Sequence, residues 1–352
     1  MTLFRWLTAA ALLLCLVVVV VGAYVRLSDA GLGCPDWPGC YGQLSVPAQA
    51  APGFERPLEP AKAWKEMQHR YLASSLGVLI VLMALVSKFS SHQDMPRKLP
   101  WVLVALVIFQ GLLGMWTVTL LLKPLVVTAH LLGGMSTLAL LCWLWLSVGA
   151  SPARDPPRAG LAPTKNRELR NERQAWKAMQ EVTPPAPSRP RGIRFLSALA
   201  LILLAAQIFL GGWVSSNYAA LACPDLPTCH GKMWPELDLK EAFTLWRGLG
   251  VNYEYGVLDN RARVTIHHLH RVGALIVSIF LLVLGWALWR FGGVWKRLAV
   301  ALCAALAVQV MIGLGLVLFQ LPLVLAAVHN AGAALLLLTV ITLTHFAWRN
   351  PA

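Results

Sequence analysis

Four histidines, His69, His130, His270 and His329, and one glutamate, Glu66, fall in or at the edge of long apolar runs. Ionisable groups are rare and costly in such surroundings, so they mark a functional site by default. Imidazoles on separate helices of an apolar bundle can ligate a metal, and a carboxyl beside them can handle protons. Two histidines alone leave copper or zinc short of ligands, since Glu66 is the one acidic or thiol partner at that depth. A haem iron asks the protein for no more than two axial ligands, so each histidine pair reads as one bis-histidine haem pocket.

The pairing follows from an internal repeat. CPDWPGC, from Cys34 to Cys40, matches CPDLPTC, from Cys223 to Cys229, at an offset of 189. His69-Arg70 matches His270-Arg271 at 201, and His130 matches His329 at 199, so the second loop carries a 12-residue insertion. Gly22 falls on Gly211, Tyr24 on Trp213, Gly42 on Gly231, Gln110 on Gln309 and Gly114 on Gly313. Similarity over so long a period marks a duplicated fold. The copies disagree at Glu66, three residues before His69 and on the same helical face, whose counterpart is His267. A carboxyl beside one pocket but not the other points to proton chemistry in the first half; a glutamate favoured by a helix N-terminus is the plainer alternative. In IHHLHR the His-Arg register selects His270 as ligand, with His267 on the same face as its rival. Arg70 and Arg271 suit haem propionates, and interfacial snorkelling explains them equally well. His92, His230 and His345 lie in a basic loop, the second clasp and the far end of the last span, and are read as ordinary residues.

The elements that must hold these residues are membrane helices. The chain is 57% hydrophobic and 13% charged, with apolar blocks near 4–26, 66–88, 100–120, 125–148, 194–217, 263–289, 295–318 and 323–347. Each is long enough to cross about 30 Å of hydrocarbon at about 1.5 Å per residue. The fold class is therefore all-α and polytopic, with eight transmembrane helices. The first block is too long for a signal peptide, and removing it would delete the repeat partner of the fifth span. His130 lies six residues after Pro124 and His329 seven after Pro322, so both sit roughly 10 Å into their helices. All four histidines thus share one level near the outer face.

Basic residues set the orientation. With a cytoplasmic N-terminus, Arg5, Lys88, Arg97, Lys98, ten Lys/Arg from Arg154 to Arg194, Arg290, Lys296, Arg297 and Arg349 lie inside, 18 of 30. Both termini are then cytoplasmic and both cysteine loops periplasmic. The net charge of +14 follows from this topology and from affinity for anionic lipid, not from nucleic-acid binding. Residues 150–193, rich in Pro, Arg and Ala with a helix-compatible stretch from Glu168 to Met179, read as a cytoplasmic basic linker between halves 1–149 and 194–352.

Cys15, Cys142 and Cys303 lie inside apolar spans as small hydrophobes. Cys34/Cys40 and Cys223/Cys229 lie in the outer loops, where a local disulfide in each is feasible and worth on the order of 2 kcal/mol. Structural disulfides, redox-responsive disulfides and a four-thiolate zinc site are the three readings, zinc the weakest because the spacing is unlike a C-x2-C knuckle.

GAYVRLSDAGLGCPDWPGC, EMQHR, the TAH and AVHNAG histidines and their second-half echoes resemble the haem A synthase family, membrane enzymes of cytochrome oxidase assembly. The resemblance covers essentially all eight spans. It implies two pseudosymmetric four-helix bundles, with His69 and His130 binding substrate haem O and His270 and His329 binding a cofactor haem b. It implies oxidation of a ring methyl of haem O to a formyl group in a bacterial inner membrane, with Glu66 needed for activity. Haem O synthase and an electron donor are the implied partners, and a homo-oligomer is compatible with it. The long basic linker, the 12-residue insertion and the crowded IHHLHR depart from the family pattern. An electron-transfer b-type cytochrome would place its haems at different depths, and a haem transporter or chaperone would not need Glu66.

Overall fold

The computed structural model describes residues 1–50, 52–149 and 192–349. The segment read as a linker, including Glu168 to Met179, lies outside the described residues but for its last two positions. Eight long helices follow in order: α1 Thr2–Leu27, α2 Pro60–Phe89, α3 Lys98–Thr119, α4 Pro124–Gly149, α5 Ile193–Ser216, α6 Asn260–Trp289, α7 Gly293–Leu318 and α8 Leu323–Arg349. A single helical turn, Leu239–Ala242, interrupts the loop before α6. All eight are long and apolar enough to cross a membrane, with mean hydropathy from 1.8 to 2.7. Large apolar side chains away from the interior cavity, such as Leu13, Val102, Val283 and Val308, are exposed, a surface that lipid can cover. This is an integral membrane protein.

Two helices begin earlier than hydropathy alone indicates. Pro60 opens α2 at a position where its missing N–H is no loss. Asp259 caps α6, its side chain accepting the Ala262 N–H at 2.7 Å. The added turns are polar, so the apolar blocks at 66 and 263 miss them. Glu66 is consequently past the first turn of α2, where a helix N-terminus has little hold on it; the dipole explanation of this residue fails.

Neighbour relations repeat between the halves. In the first, α1 and α3 each pack on α2 and α4; in the second, α5 and α7 each pack on α6 and α8. The seam joins α1 and α4 to α5 and α8. Two contacts there link a residue to its own counterpart at the offset of 189: Arg26 donates to the Ser215 carbonyl at 2.7 Å, and the Tyr218 hydroxyl donates to Asp29 at 3.1 Å. Self-pairing of equivalent positions is the mark of a twofold relation, here within one chain.

The loop backbones repeat as closely. Asp29 and Tyr218 have φ of 50° and 53°, Tyr41 and His230 of 52° and 51°, and the turns before α4 and α8 carry left-handed pairs at Leu121-Leu122 and Gln320-Leu321. Non-glycine residues seldom adopt this region, so the shared set shows that both copies follow one path. An apolar core including Ile80, Leu138, Leu281 and Val340 runs through both halves. On the side of the cysteine loops, Arg56 donates two 2.7 Å bonds to Glu254, tying the two loops together.

Candidate functional site

Each CPDxPxC segment closes on itself as a clasp. Disulfides join Cys34 to Cys40 and Cys223 to Cys229; the thiols are consumed pairwise, which removes the four-thiolate zinc reading. Asp36 accepts the N–H groups of Tyr41 and Gly42 at 2.6 and 2.8 Å, and Asp225 those of His230 and Gly231 at 2.7 and 2.9 Å. These bonds are why the motif needs an aspartate two residues after its first cysteine: the carboxylate gathers the N–H groups that the turn leaves unpaired.

The clasps dock on α2 and α6 through the positions where the repeats disagree. Glu66 Oε2 accepts the Cys34 N–H at 2.8 Å, and His267 Nδ1 accepts the Cys223 N–H at 3.1 Å. Glu66 Oε1 also pairs with Arg70 one turn on. Arg70 donates to the carbonyls of Asp36 at 2.9 Å and of Pro38 at 3.2 Å. Arg271 donates to those of Asp225, Thr228 and Cys223 at 2.8, 3.0 and 2.6 Å. The expectation of propionate partners thus meets guanidinium groups already engaged by the clasps. Arg271 Nε is left without a hydrogen-bond partner among the described residues.

The four histidines line one cavity. Its volume, about 1680 Å³, exceeds the roughly 300–1,000 Å³ usual for a single small-molecule pocket. Each imidazole is half-buried, as a cavity wall is; His267 and His268 are more deeply buried and border the same cavity. Each ring lies over a glycine of the preceding helix. A Cβ on Gly22 would stand 2.8 Å from His69, on Gly114 3.5 Å from His130, on Gly211 3.2 Å from His270, and on Gly313 3.1 Å from His329. Two of these contacts would be tight and one a clash, so Gly22, Gly211 and Gly313 are the cradles that let their rings sit where they do, while the contact at Gly114 is an ordinary one. The sequence comparison aligned these glycines without revealing that purpose.

A haem fits this arrangement on three counts. The rings of His69 and His130 have centroids 6.4 Å apart, and one metal ion bonded at about 2 Å to each ring would need roughly that spacing. Among the described residues Nδ1 of His130 and of His329 is buried without a hydrogen-bond partner, leaving donor capacity that a ligand or its surroundings can use. Among the described residues no three or more His, Cys, Asp or Glu side chains converge as a metal cluster, so equatorial coordination would have to come from the bound group.

A family model described as a cytochrome oxidase assembly protein, COX15-CtaA, matches residues 4–341. The chain belongs to that family. Among its relatives, a heme A synthase of Shewanella oneidensis is 43% identical over 352 residues, covering 98% of this chain and 97% of the relative. Another from Bradyrhizobium diazoefficiens is 30% identical with 99% and 92% covered, and one from Caulobacter vibrioides is 27% identical with 94% and 91% covered.

Within this COX15-CtaA chain, the residues singled out by sequence divide by location. His69, His130, His270, His329, Glu66, Arg70 and Arg271 all border the cavity. His92 is exposed, His230 binds the Ala222 carbonyl at 2.9 Å, and His345 packs against Trp143 with ring centroids 5.0 Å apart. Sequence reasoning missed Gln207, whose amide lies 3.0 Å from His270 Nδ1. A glutamine inside the apolar run ILLAAQIFLGG was the available signal.

Proposed function

We propose that this protein is a haem A synthase, an oxidoreductase that converts a ring methyl of haem O to a formyl group. The observation that carries the reading is one cavity lined by two repeat-related histidine pairs, with a carboxylate at one pair only. The first half, 1–149, takes haem O as substrate between His69 and His130. The second half, 194–352, holds haem b between His270 and His329, and this group supplies electron transfer. His130 and His329 each lie six residues into their helices, and His69 and His270 nine and ten, so the two pockets share one depth. That favours transfer between neighbouring haems over passage across the membrane.

Two successive hydroxylations of the methyl, each consuming one O2, two electrons and two protons and releasing one water, give a hydrated aldehyde, which loses a further water to leave the formyl group. The protein's part is position and proton handling. Cys34 N–H and Arg70 hold the two oxygens of Glu66 at the cavity wall, so its charge is fixed one turn from His69. Glu66 stabilises positive charge developing there, and exchanges a proton when Arg70 releases Oε1. The clasps face the periplasm of a bacterial inner membrane and both termini face the cytoplasm. Haem O arrives from its synthase, and a separate donor reduces the haem b.

Supplying haem O, reductant and oxygen to the purified protein and analysing the extracted haem tests this. Formyl product is expected, with Glu66→Gln lowering conversion by about 100-fold or more. Haem O recovered unchanged from the wild type overturns the function, and full conversion by Glu66→Gln removes the role given to that residue.

A further inference from the structure

Gln207 sits in the apolar middle of α5, where a primary amide is costly unless paired. Its Nε2 lies 3.0 Å from His270 Nδ1 and 3.0 Å from the His270 carbonyl oxygen. The amide reaches the ring because residue 273 is glycine; a Cβ there would overlap Gln207 Oε1. The repeat counterparts, at offsets of 189 and 201, are Val18 and Leu72. At this histidine pair the second half therefore has both a polar brace and the notch that admits it, and among the described residues His69 has neither. At the other pair both halves keep a glutamine against a glycine notch, Gln110 at Gly133 and Gln309 at Gly332, with Gln309 Nε2 3.3 Å from His329 Nε2.

We infer that Gln207 is a positioning residue that locks His270 as a permanent axial ligand, and that His69, without such a brace, is the ligand able to leave. The inference rests on the reading of His270 as a haem ligand. With iron on Nε2, Nδ1 carries the proton and the amide oxygen turns to accept it. Amide oxygen and nitrogen are interchangeable in shape, so a rotation of the amide presents Oε1 to Nδ1; it gives up the 3.0 Å bond from Nε2 to the His270 carbonyl and requires a small shift of the oxygen away from that carbonyl. A hydrogen bond from the distal ring nitrogen fixes ring orientation and makes the imidazole a stronger donor, an effect whose loss costs about 10–100-fold in affinity at comparable sites. A braced His270 keeps the second haem six-coordinate and favours its ferric form, as befits a group that gives electrons away. An unbraced His69 can vacate a coordination position on the substrate, which oxygen chemistry requires.

The test uses purified, haem-loaded protein and compares Gln207→Leu with Gln207→Glu, which keeps an acceptor. Carbon monoxide reports ligand departure on reduced haem, and potentiometric titration reports donor strength. In the wild type, carbon monoxide should bind haem in the first pocket and not in the second. Gln207→Leu should make the second haem at least about 10-fold more reactive and move its midpoint to more positive potential, while Gln207→Glu restores both properties. Gln207→Leu matching the wild type in both measurements overturns the inference. So does equal loss of haem from both variants, which would show a structural role only. Unchanged low-spin spectra in His270→Ala would instead sink the ligand assignment, and with it the reading of the second pocket.

Discussion

Glu66 and His267 do the same mechanical work with different chemistry. Each accepts the main-chain N–H of the first clasp cysteine, but only Glu66 brings a negative charge that Arg70 can hold beside the cavity. Glu66→His should therefore keep the clasp docked and haem bound while conversion of haem O falls at least as far as in Glu66→Gln; thermal stability, haem content and product analysis separate these effects. At the neighbouring cradle, a Cβ on Gly22 would stand 2.8 Å from His69 Nε2. Gly22→Ala should displace that ring and deplete first-pocket haem while the second-pocket spectrum is kept, and equal retention in both pockets would contradict the cradle. The disagreement at 66 and 267 was legible by subtraction because the repeat fixes register. The partners of Arg70 and Arg271 were not, since main-chain carbonyls exist at every residue and leave no trace in side-chain spacing.

The clasps are elements in their own right, each a disulfide loop laced by one aspartate and anchored by one arginine. Thr228, followed by the N–H groups of Gly231 and His230, holds the Asp225 carboxyl well below the usual carboxylate range. A carboxylate depressed in the folded state contributes stability that is present above its unfolded pKa of about 3.9 and lost as pH falls through the lower folded value. The second clasp should accordingly stay closed from neutral pH down to about 4. Amide exchange at His230 and Gly231 measures this, and opening near pH 5 would contradict it. Arg271→Met removes charge-assisted bonds to three carbonyls and should lower stability by about 1–3 kcal/mol, read from thermal denaturation. The eight spans were legible because hydropathy tracks apolar length. The first turns of α2 and α6 were not, because they are polar and are set by Pro60 and Asp259.

At the scale of the whole molecule, a duplicated bundle has kept its backbone and changed its pocket walls. Arg26 meeting Ser215 and Asp29 meeting Tyr218 place the pseudo-twofold axis at the seam, and one cavity spans both halves. The repeat was legible from paired motifs. The merging of two pockets into one cavity was not, because it depends on how α1, α4, α5 and α8 pack across the seam. A shared cavity with unlike walls is what a division of labour between substrate and electron supply needs, and that division is the central claim. The most direct measurement replaces one histidine pair at a time and identifies the haem that remains in protein purified from cells making haem O. His69→Ala/His130→Ala should retain haem b and lose haem O and haem A, and His270→Ala/His329→Ala should retain haem O and lose haem b. The opposite assignment, or loss of both haems in equal measure from each double variant, would contradict the account.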